Sequence, residues 1–110
     1  MSDGEHAHLA ARAAEVVGQV NAAEWEDVTA DWDEVMRGEL GVSRLAEAWR
    51  QIIASAGPLQ TIGHSSVARR GPYRIADVPL IFEHGPMKAR VVFNHDDKIS
   101  GLFVLLPDAP

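Results

Sequence analysis

The first half of the chain repeats apolar side chains with the helical period of 3.6 residues. Between about residues 5 and 20 they recur on one face of such a helix, at Leu9, Ala13, Val16, Val17 and Val20. Asn21 is a residue type that favours helix starts, so we expect a break there followed by a new start. The pattern therefore predicts an amphipathic first helix that ends near residue 21.

Two more helical segments follow the break. The segment from about 22 to 39 carries a single apolar stripe, made of Trp25, Val28, Trp32, Val35 and Met36, and forms either one helix or two short ones. A third amphipathic segment reaches residue 56, with its apolar face at Leu45, Ala48, Trp49, Ile52, Ile53 and Ala56. It ends at Gly57-Pro58, because glycine permits and proline enforces the end of a helix.

After residue 57 the apolar period changes from 3.6 to 2, which is typical of strands. Four extended segments follow at about 59–68, 73–83, 87–95 and 98–106, separated by short runs of turn residues. Short turns join antiparallel neighbours. The sequence therefore predicts an α+β fold, with three or so N-terminal helices packed on a curved four-stranded antiparallel meander. We expect one domain over 1–110, with its core at about 5–106 and a flexible tail at 107–110.

Apolar residues occupy both sides of the predicted sheet. Val78, Leu80 and Phe82 alternate on one side of the second strand, whereas strict alternation in the fourth strand places Ile99 and Phe103 opposite Leu102 and its neighbours. Helices can cover one face of so small a sheet, and a large exposed apolar patch usually marks an interface. We therefore expect a homodimer whose contact is the far face of the sheet, at Ile81, Val92, Leu102, Val104 and Leu106.

Two residues interrupt the strand pattern. Pro79 lacks the amide hydrogen that an interior strand needs, so we expect a bulge in the second strand near it. Gly101 lies inside the last strand and indicates either a bulge or the close approach of a neighbouring chain segment.

Charge and composition exclude several partners. The chain has net charge −6, and residues 1–57 carry eleven acidic against four basic residues, so neither half offers the basic surface that nucleic acids or anionic membranes require. The chain has no cysteine, the polar N-terminus lacks a secretory signal, and no apolar run approaches a membrane span. We expect a cytoplasmic protein without a cofactor. His6 and His8 do not share a helix face, so we expect no metal site.

Several motifs carry a resemblance to a known superfamily: Leu45 with Trp49, Gly57-Pro58, Val78-Pro79-Leu80 with Phe82, Arg90-Val91-Val92-Phe93, and Lys98-Ile99-Ser100-Gly101-Leu102-Phe103. With the order of helices before sheet, the pattern over about residues 10–107 resembles the nuclear transport factor 2-like superfamily of cystatin-like cones. More narrowly, it resembles an uncharacterised domain-of-unknown-function family within that superfamily. Relatives include ketosteroid isomerases, SnoaL-like polyketide cyclases and non-catalytic binding modules, so the resemblance implies a cone but no single activity.

An isomerase or cyclase needs a base and a hydrogen-bond donor in an apolar cone. Asp31, His64 or Asp77 would be the base, and Tyr73 or Arg90 a second polar group. Each has a structural alternative: Tyr73 as an aromatic at a strand start, His64 as a surface residue, and Arg90 as the ion-pair partner of Glu83 or Asp77. Trp25, Trp32, Trp49 and Phe103 would line a ligand pocket or fill the core.

Two hypotheses from different classes follow. The first is a non-catalytic homodimeric module that binds a small apolar molecule or a partner protein. The second is a small cofactor-independent isomerase or cyclase with Asp77 or His64 as its base, which the resemblance alone supports. An empty cone that holds an ionisable residue would favour the enzyme, and a filled cone would favour the module.

Overall fold

A computed structural model describes residues 3–39 and 41–110 as four helices followed by five strands. The helices are α1 (Asp3–Asn21), α2 (Trp25–Ala30), α3 (Glu34–Glu39) and α4 (Val42–Ala56). The strands are β1 (Leu59–Ile62), β2 (Ser66–Arg70), β3 (Tyr73–Phe82), β4 (Gly85–Phe93) and β5 (Ile99–Leu105). The α+β class, with helices before an antiparallel sheet, is therefore as the sequence predicts.

The helices end where the local sequence indicates. α1 stops at Asn21 and buries its predicted stripe from Leu9 to Val20. The second predicted segment forms two helices, because the side chain of Asp33 accepts a hydrogen bond from the Met36 amide (2.9 Å) and starts α3. α4 ends at Gly57, whose φ of 81° lies in the left-handed region that glycine tolerates best.

The predicted first strand is broken into two pieces that pair with the same neighbour. β1 pairs with the C-terminal half of β3 and β2 with its N-terminal half, so the sheet has the order β1 or β2, then β3, β4 and β5. All pairs are antiparallel. The meander is therefore as predicted, except that its first strand is interrupted at residues 63–65.

Pro79 accounts for this interruption. β3 runs past Pro79 without a register shift against β4, so the predicted bulge in β3 is wrong. The Pro79 carbonyl accepts a hydrogen bond from Gly63 (2.8 Å), which shows that the side of Pro79 without an amide hydrogen faces the gap between β1 and β2. The missing ladder donor is thus accommodated by a break in the neighbouring strand.

The sheet has one face covered by helices. Alternate residues of β3 and β4 on this face are apolar and almost fully buried, and these are Ala76, Val78, Leu80, Phe82, Ala89, Val91 and Phe93. Leu9, Val28 and Trp32 of the helices belong to the same core. We call the other side the open face, which consists of Tyr73, Ile75, Asp77, Pro79 and Ile81 of β3 together with the residues opposite them in the other strands.

A bulge in β5 exchanges the faces on which some residues of the predicted dimer contact lie. Phe93 pairs with Ile99 and Val92 with Gly101, so Ser100 is an extra residue on β5. Leu102 and Val104 therefore pair with Val91 and Ala89 on the helix side and pack against the core.

The predicted placement of Leu102 and Val104 on the far face is thus wrong, and so is that of Phe103 beside Ile99. Phe103 pairs with Arg90 on the open face, with 51% of its surface exposed. The predicted bulge at Gly101 is confirmed, because the register shift of β5 lies directly beside it, between Gly101 and Ile99.

Asp33 should contribute more to the free energy of unfolding than a carboxylate without hydrogen-bond partners. One of its oxygens caps α3 and the other accepts a hydrogen bond from Asn94 Nδ2 (3.1 Å). We expect Asp33→Ala to lower the free energy of unfolding by about 1–2 kcal/mol in chemical denaturation. Asp33→Ser keeps a capping oxygen and should lose less; equal losses in the two variants would contradict the cap.

Candidate functional site

The space between the helices and the sheet is filled with apolar side chains. The centre of the helix-covered face has no solvent-exposed surface at Val78, Leu80 and Val91. Trp32 belongs to the same core, and 4% of its surface is exposed. Within residues 4–38 and 41–110, whose side chains the structure describes, Arg74 is the one charged side chain that is buried. Among the described residues, no Asp, Glu or His is fully buried in this interior.

Arg74 belongs to a polar network at one end of the sheet. It donates to the carboxylates of Glu5 and Asp97 and to the carbonyl of Asn94. Arg12 donates to Asp31 Oδ2 and to the Asp97 carbonyl, both at 2.8 Å. Asp31 is therefore placed in an ion pair that ties α1 to the turn after α2, which is a structural role.

The residues predicted to line one pocket lie in four separate places. Trp32 is in the core, and Trp25 and Trp49 line a cleft at the helix side of the molecule. His64 is exposed beside α1. The remaining four are on the open face, namely Tyr73, Asp77, Arg90 and Phe103. The structure therefore does not bring the predicted set together.

The cleft at Trp25 and Trp49 lies where α1, α2, α4 and β1 meet. Its volume is about 500 Å³, it is open to solvent, and its lining is mostly apolar, with Val20, Ile53 and Leu59 beside the two indoles. The Trp49 ring also packs on Phe82, with centroids 5.9 Å apart. This volume is within the range of small-molecule sites.

The open face combines exposed apolar residues with a central ion cluster. Tyr73, Ile81 and Phe103 are 45%, 43% and 51% exposed. Ile81 and Val92 of the predicted dimer contact lie on this face, and Leu106 follows β5 with 66% exposure. The exposed residues flank charged side chains at the middle of the sheet.

Asp77, Lys88 and Arg90 form this ion cluster. Arg90 Nε and Nη2 donate to the two oxygens of Asp77 at 2.8 and 3.0 Å, and Lys88 Nζ lies 3.3 Å from Asp77 Oδ2. The predicted pairing of Arg90 with Asp77 is therefore the one observed. The hydrogen bond from Arg90 holds the pKa of Asp77 below its usual value, against the opposing effect of burial, and the same bond raises the pKa of Arg90.

The last residues of the chain fold back onto this cluster. The Ala109 amide bonds to the Leu106 carbonyl, Arg90 Nη1 donates to the Pro110 oxygen (2.8 Å), and Lys88 donates to the Ala109 carbonyl. Both cations thus bind main-chain oxygens of the tail in addition to Asp77.

Arg70 and Lys88 were not singled out by the sequence pattern. Arg70 pairs with Tyr73 across the Gly71-Pro72 turn and so belongs to the open face, where it lines a cavity of about 290 Å³ together with Asp77 and Arg90. Both residues could have been found, because Lys88 lies two residues before Arg90 and Arg70 directly precedes the turn. The position of β2 relative to β4 was the missing information.

In the part of the chain that the structure describes, no three histidine or acidic residues are grouped so that they could hold a metal ion. No helix among the described residues has the length and apolar character needed to cross a membrane.

Most of the chain matches a protein family. A family model described as "Protein of unknown function (DUF3887)" matches residues 13–102. No curated protein and no solved structure matches the chain significantly.

Asp77 should make stability depend on acidity. Because its pKa is lower in the folded chain than the usual value of 3.8, the unfolded chain binds more protons, and stability is lost as the pH falls through the folded pKa. We expect Asp77→Asn to be less stable at pH 7 by about 1–3 kcal/mol, with a gap that narrows below about pH 4.

The measurement is urea denaturation of both chains from neutral to acidic pH. Asp108→Asn removes the same charge from an exposed tail position and serves as the matched control. If the difference in free energy of unfolding between wild type and Asp77→Asn stayed constant with pH, the ion cluster would not be the cause of the acid sensitivity.

Proposed function

The chain belongs to the family described as "Protein of unknown function (DUF3887)", and we propose that it is a non-catalytic module that pairs with a second copy through the open face. The observation that carries this proposal is the sidedness of the sheet. The helices pack on one face, whereas Tyr73, Ile81 and Phe103 are exposed on the other. Exposed apolar patches of this kind usually mark protein interfaces.

The dimensions of the face suit a small dimer contact. β3 has 10 residues, and at about 3.3 Å per residue and about 4.8 Å between strands, four strands span roughly 600 Å². Flanking side chains bring this close to the roughly 800 Å² per partner that is usual in specific complexes.

A second copy suits this face because the ion cluster carries both signs of charge. In a two-fold contact the same patch meets itself, so cations must find anions at equivalent positions. Asp77 of one chain would face Lys88 or Arg90 of the other. A strongly one-signed face would repel its own copy, whereas this mixed centre is complementary to itself.

The filled interior supports a binding role over catalysis. The order of helices and antiparallel sheet supports a cone of the nuclear transport factor 2-like kind, in which isomerases hold a base within the cone. Here Val78, Leu80 and Val91 occupy the described interior, and Asp77 faces away from it. The isomerase alternative therefore has no favourable observation.

Only substitutions on the open face should weaken the association of two chains. We expect light scattering with size-exclusion chromatography to give a dimer at about tens of micromolar, and Ile81→Lys to raise the dissociation constant at least about tenfold. Introducing a cation into the apolar contact leaves it desolvated on association.

Val42→Lys is the matched control, because Val42 is 37% exposed on α4, away from the sheet, and Ile81 is 43% exposed. A wild-type monomer at that concentration, or equal effects of the two substitutions, would refute the contact. Leu102→Ala and Val104→Ala should lower stability, since both side chains pack on the core.

The cleft at Trp25 and Trp49 supports binding of a small apolar molecule as a second role. Stacking on an indole combines apolar burial with a favourable ring geometry. We expect 2-naphthol to quench tryptophan fluorescence saturably, and Trp25→Ala to weaken its binding about tenfold. Val35→Ala, exposed on α3 outside the cleft, is the control, and unchanged binding in Trp25→Ala would exclude this site.

A further inference from the structure

A cavity of about 290 Å³ lies on the open face between β2 and β4. Ala68 and Ile75, which face each other across β2 and β3, give it an apolar part. Arg70 and Arg90 line it from opposite sides of β3, and Pro110 of the tail completes it. The cavity thus combines a small apolar surface with two guanidinium groups.

Arg70 and Arg90 differ in their hydrogen bonding. Arg90 is held by its double hydrogen bond to Asp77, which leaves Nη1 directed away from the carboxylate. Within the described ranges, the guanidinium of Arg70 makes no hydrogen bond or ion pair with another residue, although it lines the cavity. One fixed and one available guanidinium group therefore share the same cavity.

The tail shows that Arg90 donates to an oxygen atom beside the cavity. Its Nη1 donates to the Pro110 oxygen at 2.8 Å, and Lys88 donates to the neighbouring carbonyl of Ala109. The donors of Lys88 and Arg90 that Asp77 does not use thus point to oxygen atoms beside the ring of Pro110. Apart from these two bonds, the described hydrogen bonds of the tail include only the turn from Ala109 to Leu106, so few bonds hold the tail over Arg90.

We propose that this cavity binds the carboxylate of a small organic acid, with Arg70 and Arg90 donating to its oxygens and the tail displaced from Arg90. Planar guanidinium groups match the planar carboxylate and can donate two parallel hydrogen bonds to it. Asp77 pairs with Lys88 and Arg90, and Arg70 lines the same cavity, so three cations surround a single side-chain carboxylate in a chain of net charge −6. The apolar pair Ala68 and Ile75 would contact the organic part of the ligand.

The probe is benzoate, titrated into the full-length ¹⁵N-labelled chain and followed by NMR. We expect saturable shifts at Arg70, Arg90 and Ile75, together with a shift of the Ala109 amide as the tail leaves. Arg70→Gln should weaken binding about tenfold, because it removes a charge-assisted hydrogen bond while leaving Asp77 and Arg90 paired.

Arg69→Gln is the matched control. Arg69 has the same charge on the same strand but pairs with Arg74 on the other face and bonds to the Gly71 carbonyl (3.2 Å). Unchanged affinity in Arg70→Gln, equal weakening in Arg69→Gln, or inorganic phosphate binding as tightly as benzoate would overturn the proposal. No saturable shift at these residues in the Ile81→Lys chain, in which the open face is free, would overturn it as well.

This inference goes beyond self-association, although both use the open face. The titration is therefore repeated in Ile81→Lys, whose substitution lies outside the cavity. Binding in Ile81→Lys with a monomeric wild type would reject only the dimer. Absence of binding in Ile81→Lys with a dimeric wild type would reject only the carboxylate site.

Discussion

The organisation of this protein depends on the unequal covering of its sheet. The four helices bury the apolar positions of β3 and β4 on one side, and they leave the alternate positions of the same strands uncovered. Because successive strand residues point to opposite faces, each apolar residue at an uncovered position stays exposed unless another surface meets it. The proposals about association and ligand binding both follow from this constraint.

The ion cluster at the centre of the open face gives that surface its specificity. Asp77 neutralises part of the charge of Lys88 and Arg90, and main-chain oxygens of the tail take up donors that remain. Partly buried charges need such partners, because unpaired ones lose their hydration without compensation. A ligand carboxylate and a second copy of the chain would each satisfy the same donors, so the tail, the ligand and the second copy compete for one group of side chains.

The sequence predicts what local periodicity determines. The apolar stripes of α1 and α4, the helix end at Gly57 and the alternation of β3 all follow from spacing and turn chemistry, and the structure confirms them except at Ala48, which is exposed on α4. The exposed sides of β5 were predicted wrongly, because the extra residue Ser100 shifts the alternation and only the pairing with β4 reveals it.

The candidate site could be predicted only in part, again because the pairing of strands is not visible in the sequence. The pairing of Asp77 with Arg90 was among the alternatives, since both lie on neighbouring strands of a meander. Arg70 and Arg90 line one cavity because β2 and β4 lie on either side of β3, and the break opposite Pro79 sets the position of β2. Such long-range register is not encoded in the period of either strand.

The most direct test of the central claim is the solvent accessibility of side-chain methyl groups, measured with a soluble paramagnetic agent at increasing protein concentration. The account predicts that Ile75, Ile81 and Val92 become protected as concentration rises, whereas Val42 on α4 remains accessible throughout. If the methyl groups of the open face stayed as accessible as that of Val42 at every concentration, the sheet would function uncovered and the account would be contradicted.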